Sequence, residues 1–413
     1  MSTATQPQGS LAAAELFPIP VEPHRRRLES LDILRGLLMI LMALDHTRDY
    51  FSNAPVNPVD PHTSWPALYI TRWVTHLCAP GFVALAGASV YLQRKRGKTP
   101  TQLSRLLITR GLWLVFLEFT VISFAWSFGW APFMQVIWAI GISMILLGVI
   151  MRFRPPTALI GTLGATIVLL HNLLDPLNRH PFGWLENGWE IINMPGFFMF
   201  HGQREIMMFY PVLPWFGIIC VGYAFGPIAA SAPARRQKIA VALAASFFTV
   251  FSLLRLFHGY GDPFPFEHLA TPAQTAMSFM SVMKYPPSLH YALATFTVLL
   301  LLYAAFDFAA TRDWLPRLRA VFETYGRVPF FYYVPHIFIL HGLALLGVMA
   351  FHLNWHIMIG KALIWDDATP PNWGFGLPIV YAIWLSVVAL LYLPCNWFAA
   401  LKARRRDWWL SYL

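Results

Sequence analysis

The stretch LDILRGLLMILMALDHTRDYF, residues 31–51, is apolar and long enough to cross a bilayer, yet it carries Arg35, Asp45, His46 and Asp49. About 20 helical residues cross the ~30 Å of hydrocarbon, and ionisable groups inside such a span are costly and mark functional sites. Nine further stretches of membrane-crossing character follow, near 68–92, 104–126, 133–151, 157–174, 207–229, 239–257, 289–308, 328–351 and 378–401. The predicted fold is an all-α integral membrane protein with about ten transmembrane helices in one bundle. Composition agrees. Of 413 residues, 57% are hydrophobic and 12% charged, where a soluble domain carries about 25% charged, and the mean hydropathy is +0.52. Disorder, coiled coil and an ordinary soluble enzyme are excluded. Cys78, Cys220 and Cys395 sit in apolar surroundings and are too few for a disulfide framework or a four-ligand zinc site. No metal is expected.

The formal net charge of +10 raises the question of a nucleic-acid partner, and the placement of the charge answers it. Of 30 Lys and Arg, 21 fall in the N-terminal segment, the C-terminal end and the connections near 94–105, 152–154, 235–238 and 312–327. The intervening connections hold 5: Arg179, Arg204, Arg255, Lys284 and Lys361. The bias alternates at every crossing, so both termini are expected in the cytosol and no nucleic acid is implied. Residues 1–28 read as a flexible cytosolic tail, 29–407 as one transmembrane domain and 408–413 as a C-terminal tail. No apolar leader core precedes the first span, which reads as an uncleaved anchor. The outer connections 175–206 and 258–288 are rich in Trp, Pro, Gly and His and read as caps.

Arg35 and His46 stand eleven steps apart, about 20° past three full turns and roughly 16 Å along a helix. They share one face, with the cation in the cytosolic half and the titratable base in the outer half. The second span contributes Arg72 and His76, one turn apart. Running back inward, it brings Arg72 to the depth of Asp45 and Asp49, where an ion pair is expected, and His76 to that of His46. Glu118 lies eight residues beyond Arg110 on a similar face, which reads as a buried structural pair. His336 and His341 follow Tyr332, Tyr333 and Pro335, and either is placed to line a cavity. Lys284 is a further substrate-lining or structural candidate. Neither a Gly-x-Ser-x-Gly elbow, a Walker phosphate loop nor a His-Glu-x-x-His pair occurs.

The Arg35-to-His46 spacing is similar to the Arg-x10-His motif of the membrane-bound acyltransferase family three. The chain resembles more closely the bacterial relatives of heparan-α-glucosaminide N-acetyltransferase. The stretches that carry the resemblance run in order from the first span to the ninth: SLDILRGLLMILMALDHTRDYF (30–51), ITRWVTHLCAPGFVALAGASVYL (70–92), MQVIWAIGISMILLG (134–148), FYPVLPWFGIICVGYAFG (209–226), KYPPSLHYALATF (284–296) and YGRVPFFYYVPHIFILHG (325–342). The resemblance implies that 29–407 is an acyltransferase domain taking an acyl group, in the family acetyl, from cytosolic acetyl-CoA to a sugar or glycan on the other side. It implies Arg35 as a donor-binding residue and leaves two candidate bases. One branch points to His46. The other points to His62, through His62-Thr63-Ser64-Trp65, which stands where the lysosomal member has His-Ala-Ser-Trp. Four extra residues separate Trp65 from Pro80, and the lysosomal member has Asn and Asp where His46 and His76 stand. His46 is favoured, being on a predicted helix in register with Arg35, with His76 as its orienting or oxyanion-stabilising partner.

The expected partners are acyl-CoA, a carbohydrate or glycan acceptor and the lipid bilayer, with a second copy of the chain as a further candidate. The expected location is a bacterial inner membrane. The competing reading is a proton-coupled secondary transporter using the intramembrane His, Asp and Arg cluster. Such proteins show matched halves with broken helices, and no such symmetry is visible here.

Overall fold

Proline and small polar residues set where the helices begin. The first half of the chain holds α1 (Glu29–Phe51), α2 (Pro66–Thr75), α3 (Cys78–Lys95), α4 (Pro100–Leu117), α5 (Ser123–Ser127), α6 (Val136–Met151) and α7 (Thr157–Leu170). The second holds α8 (Glu186–Ile192), α9 (Val212–Ala229), α10 (Pro233–Phe257), α11 (Pro272–Met280), α12 (Leu289–Thr311), α13 (Pro316–Arg327), α14 (Pro329–Ala350) and α15 (Leu377–Arg404). Proline stands in the first turn of α2, α4, α10, α11, α13, α14 and α15, where its missing N–H costs nothing. Thr99 and Gln102 cap α4 reciprocally, and the Ser288 hydroxyl accepts from Tyr291 N–H to open α12. This computed structural model describes residues 28–179, 185–200, 203–360, 370–405, 407 and 410. The expected terminal tails, Leu28 and Leu410 apart, and Lys361 lie outside the described residues.

Every stretch read as a span coincides with a helix. Among the described residues eight helical segments are long and apolar enough to cross a membrane. Two of them are composite: α2 and α3 run on as Pro66–Lys95, and α4 and α5 join through a π turn at Glu118–Ile122 as Pro100–Ser127. The remaining two spans are α6, which is shorter, and α1, which is set apart by its charges. The protein is an all-α integral membrane bundle.

The charged helix is the central one. α1 packs against α2, α3, α12, α13, α14 and α15, and its Leu38, Ala43 and Thr47 are fully buried. By contrast α7, α10 and α15 leave Leu159, Leu253, Leu256, Leu390 and Leu393 exposed on the outside of the bundle, as lipid-facing helices do. Small residues allow the closest crossings. A Cβ on Gly326 of α13 would collide with the Asp32 carbonyl of α1, and one on Gly36 of α1 with the backbone of Phe322. The segment 312–327, read only as a connection, thus contains a helix seated directly on α1.

A small sheet was also not foreseen. β1 (Phe133–Met134) pairs in parallel with β3 (Gln203–Met208), which pairs antiparallel with β2 (Gly196–Phe200). Phe209 N–H continues the link to the Met134 carbonyl at 3.1 Å. The start of α6 and the approach to α9 are thereby tied side by side. The cap at 258–288 is equally built. Arg255, buried at the end of α10, donates to the carbonyls of Phe264, Ser278, Phe279 and Ser281 at 2.6–3.0 Å. The Asp262 carboxylate accepts from Phe264 N–H, Met283 N–H and the Ser288 hydroxyl.

Candidate active site

Four cavities follow one another along the bundle. At the end where the basic connections gather lies a mouth of about 650 Å³ lined by Arg35, Arg96, Lys98 and Arg110. It shares Arg35, Ser89, Gln93 and Arg110 with a deeper cavity of about 340 Å³ that also meets Arg327 and Lys402. That cavity in turn shares Met42, Phe82, Val136 and Tyr333 with a chamber of about 170 Å³ around His46. The chamber shares Arg48, Arg72, Lys284 and Tyr285 with a vestibule of about 660 Å³ at the opposite end, beneath the 57–62 and 264–285 loops.

Arg35 is held from three sides. Its guanidinium donates to Asp32 Oδ1 at 2.8 Å, to the Gly326 carbonyl at 3.1 Å and to Ser89 Oγ at 3.2 Å. The last turn of α13, with its outward carbonyls, therefore aims the arginine across the mouth. Arg110 was expected to pair with Glu118 and does not. Fully buried Glu118 instead accepts from Trp138 N–H at 2.8 Å and Gln135 N–H at 3.3 Å, at the start of α6. Those unsatisfied N–H groups suit a carboxylate, and the π turn at Glu118 carries the side chain to them. Arg110 opens on the mouth beside Arg35.

His46 projects from the outer half of α1 into the chamber, with Trp126 edge-on at 4.7 Å and Tyr333 at 6.2 Å between ring centroids. Its Nδ1 lies 2.7 Å from Nε2 of His336, and the two rings are within 9° of parallel. His336 Nδ1 lies 3.1 Å from the Tyr332 carbonyl, which can only accept. Nδ1 of His336 therefore donates, its Nε2 accepts the Nδ1 proton of His46, and the His46 lone pair falls on Nε2. The sequence-based partner, His76, lies elsewhere. It closes α2, its buried Nδ1 finds no hydrogen-bond partner among the described residues, its carbonyl accepts from Tyr291, and its side chain faces the vestibule. The side chain that orients His46 is His336, for which Tyr332-Tyr333-x-Pro335-His336 in mid-span was the signal.

Arg72 Nη1 lies 2.5 Å from Asp45 Oδ2, at the shared depth that the antiparallel spans predict. Arg48 bridges Asp45 at 3.1 Å and also pairs with Asp49. Lys284, held in the cap, completes the charged wall. His62 is apart from all of these. It stands exposed at the vestibule rim, 3.4 Å from Glu267. The alternative base is thus separated from the chamber that holds His46.

A chamber with a hydrogen-bonded histidine, whose walls are shared with cavities toward each end of the bundle, suits transfer of a group between molecules arriving from opposite sides. Residues 27–256, more than half of the chain, match the family described as heparan-alpha-glucosaminide N-acetyltransferase, catalytic. The chain belongs to that family. No curated protein matches it. Membership makes it a transmembrane acetyltransferase and sets aside the transporter reading. The matched region contains Arg35, His46, His62, Arg72, His76, Arg110 and Glu118, whereas Lys284 and His336 come from the part of the chain beyond it. The chamber around His46 is therefore closed by residues from both parts.

Proposed function

We propose that the protein transfers an acetyl group from cytosolic acetyl-CoA to a hydroxyl or amine of a sugar or glycan on the opposite side of a bacterial inner membrane, with His46 as general base. The observation that carries this reading is the series of cavities in which basic mouth, histidine chamber and vestibule share walls. The basic end, with Arg35, Arg96, Lys98 and Arg110, attracts the phosphates of the donor's nucleotide. The pantetheine arm is of the same order of length as the roughly 16 Å rise from Arg35 to His46, so the thioester reaches the chamber. The acceptor enters through the vestibule.

In the reaction the acceptor's heteroatom bonds to the thioester carbon while its proton passes to Nε2 of His46. The carbonyl electron pair moves to oxygen and returns as the carbon–sulfur bond breaks. The CoA sulfur then takes the proton back from His46. General-base assistance of this kind is worth about 10²–10⁴ in rate. The Tyr332 carbonyl and His336 keep the lone pair of His46 on the reacting nitrogen.

The test is acetyl-CoA consumption by the purified protein with a panel of hexoses and hexosamines. His46→Ala is expected to keep acetyl-CoA binding and to lose transfer by about 10² or more, while His62→Ala stays near the parent rate. Arg35→Ala is expected to weaken acetyl-CoA binding itself. Loss of transfer in His62→Ala with near-normal transfer in His46→Ala would move the base to the vestibule rim.

A further inference from the structure

Lys284 is buried, with 8% of its surface exposed, in the wall common to the chamber and the vestibule. The cap fixes it there: the preceding Met283 N–H bonds to Asp262 at 2.9 Å, and Nζ lies 5.0 Å from the Tyr285 ring centroid. Among the described residues no carboxylate forms an ion pair with it. The arginines of the same wall differ. Arg72 is engaged by Asp45, and Arg48 by Asp45 and Asp49. The chamber thus holds three cations against two carboxylates, and Lys284 is the cation with no carboxylate in ion-pair contact, reaching Asp45 only at longer range and interacting directly with the Tyr285 side chain. Its surroundings favour negative charge. Burial pushes the Tyr285 phenol up, but Lys284 and Arg72, together with hydrogen bonding to Tyr210 and Lys284, pull it down, leaving it more acidic than an ordinary phenol. A buried cation without a carboxylate in contact costs stability in the resting protein.

Resting on the acyl transfer proposed above, we infer that Lys284 is the cation that stabilises the oxyanion formed on the thioester carbonyl as the acceptor attacks. The ground-state carbonyl is neutral and the tetrahedral oxygen is anionic, so an ammonium with no carboxylate in contact gains a close counter-charge only along the reaction. Such a group lowers the barrier without tightening substrate binding. Lys284 gives up no proton: the acceptor's proton goes to His46 and from there to the CoA sulfur. Arg48 and Arg72, already neutralised, hold the shape of the wall.

The experiment compares the full-length protein with Lys284→Met, Lys284→Gln and Lys284→Arg, using acetyl-CoA as donor and glucosamine as probe acceptor. For Met and Gln, kcat is expected to fall about 10²–10³-fold, the range seen when an oxyanion donor is removed. Both KM values are expected to stay within about threefold of the parent, since the interaction is made only in the transition state. Tm holds or rises, because an unpaired buried charge has been removed, and Lys284→Arg recovers part of kcat. Near-parent kcat in Lys284→Met overturns the inference. So does a loss confined to the KM for glucosamine, which makes Lys284 an acceptor-binding group. A fall in Tm in both neutral variants with no recovery in Lys284→Arg overturns it as well, in favour of a structural role. A parent protein that transfers nothing to any acceptor overturns the functional reading itself, whereas an active parent with an active Lys284→Met overturns only the role of Lys284.

Discussion

His46 takes its tautomer from a residue 290 positions away, and nothing local to α1 supplies the partner. The Tyr332 carbonyl fixes the proton of His336, and His336 fixes that of His46. His336→Ala leaves Nδ1 of His46 without an acceptor, so the protonated nitrogen is free to become the reacting one. Transfer is expected to fall about 10²-fold, the lower range for loss of a base, with acetyl-CoA binding intact. His336→Gln, whose amide can both accept and donate, is expected to recover part of it. Nitrogen-15 spectra of labelled histidine give the decisive readout: His46 carries its proton on Nδ1 in the parent and on a mixture of both nitrogens in His336→Ala. An unchanged His46 spectrum in that variant would rule the relay out. The Arg35–His46 alignment was readable because helical period alone fixes it, whereas the partner depends on which distant helix crosses at that depth.

At the scale of elements, α1 and the α2–α3 segment are held together by charge within an apolar bundle. Asp45 serves both Arg72 and Arg48. Loss of Asp45 therefore leaves Arg72 without its carboxylate and Arg48 with Asp49 alone, while loss of Arg72 leaves Asp45 still engaged by Arg48. Asp45→Asn is expected to destabilise more than Arg72→Met, toward the ~3–5 kcal/mol range for a broken buried pair. The double variant is expected to be less harmed than the sum of the two. A cycle of thermal unfolding measurements that shows simple additivity would dismiss the pair as an energetic unit. Sequence reading found this pair from antiparallel depth alone. It missed the anchoring of Glu118, because residues eight apart on one helix resemble partners until a neighbouring helix offers its N-terminal N–H groups.

The whole molecule is polarised. Arg35, Arg96, Lys98, Arg110, Arg327 and Lys402 open on cavities at one end, and the Asn57–His62 loop and the 264–285 cap surround the other. By the positive-inside rule the first end is expected to be the cytosolic one. With Cys78, Cys220 and Cys395, all buried, replaced, a single cysteine at Lys98 is expected to resist an impermeant thiol reagent applied from outside, and one at Thr63 to react. Labelling at position 98 from outside would invert the topology and with it the direction of transfer.

The sequence by itself determined the helical bundle, the spans, the sidedness expected from charge and the register of Arg35 with His46. These follow from local quantities: hydropathy over a bilayer's thickness, the distribution of Lys and Arg, and 3.6 residues per turn. Only the tertiary structure decided which side chains meet. It seated α13 on α1 through Gly36 and Gly326, tied α6 to the approach of α9 through a short sheet, gave His46 to His336 instead of His76, and left Lys284 buried without a carboxylate. The physical reason is that lipid demands only that backbone groups be satisfied and side chains be apolar, which many helix arrangements achieve equally. Choosing among them falls to close packing and hydrogen bonds between residues far apart in the chain, and no local pattern records those.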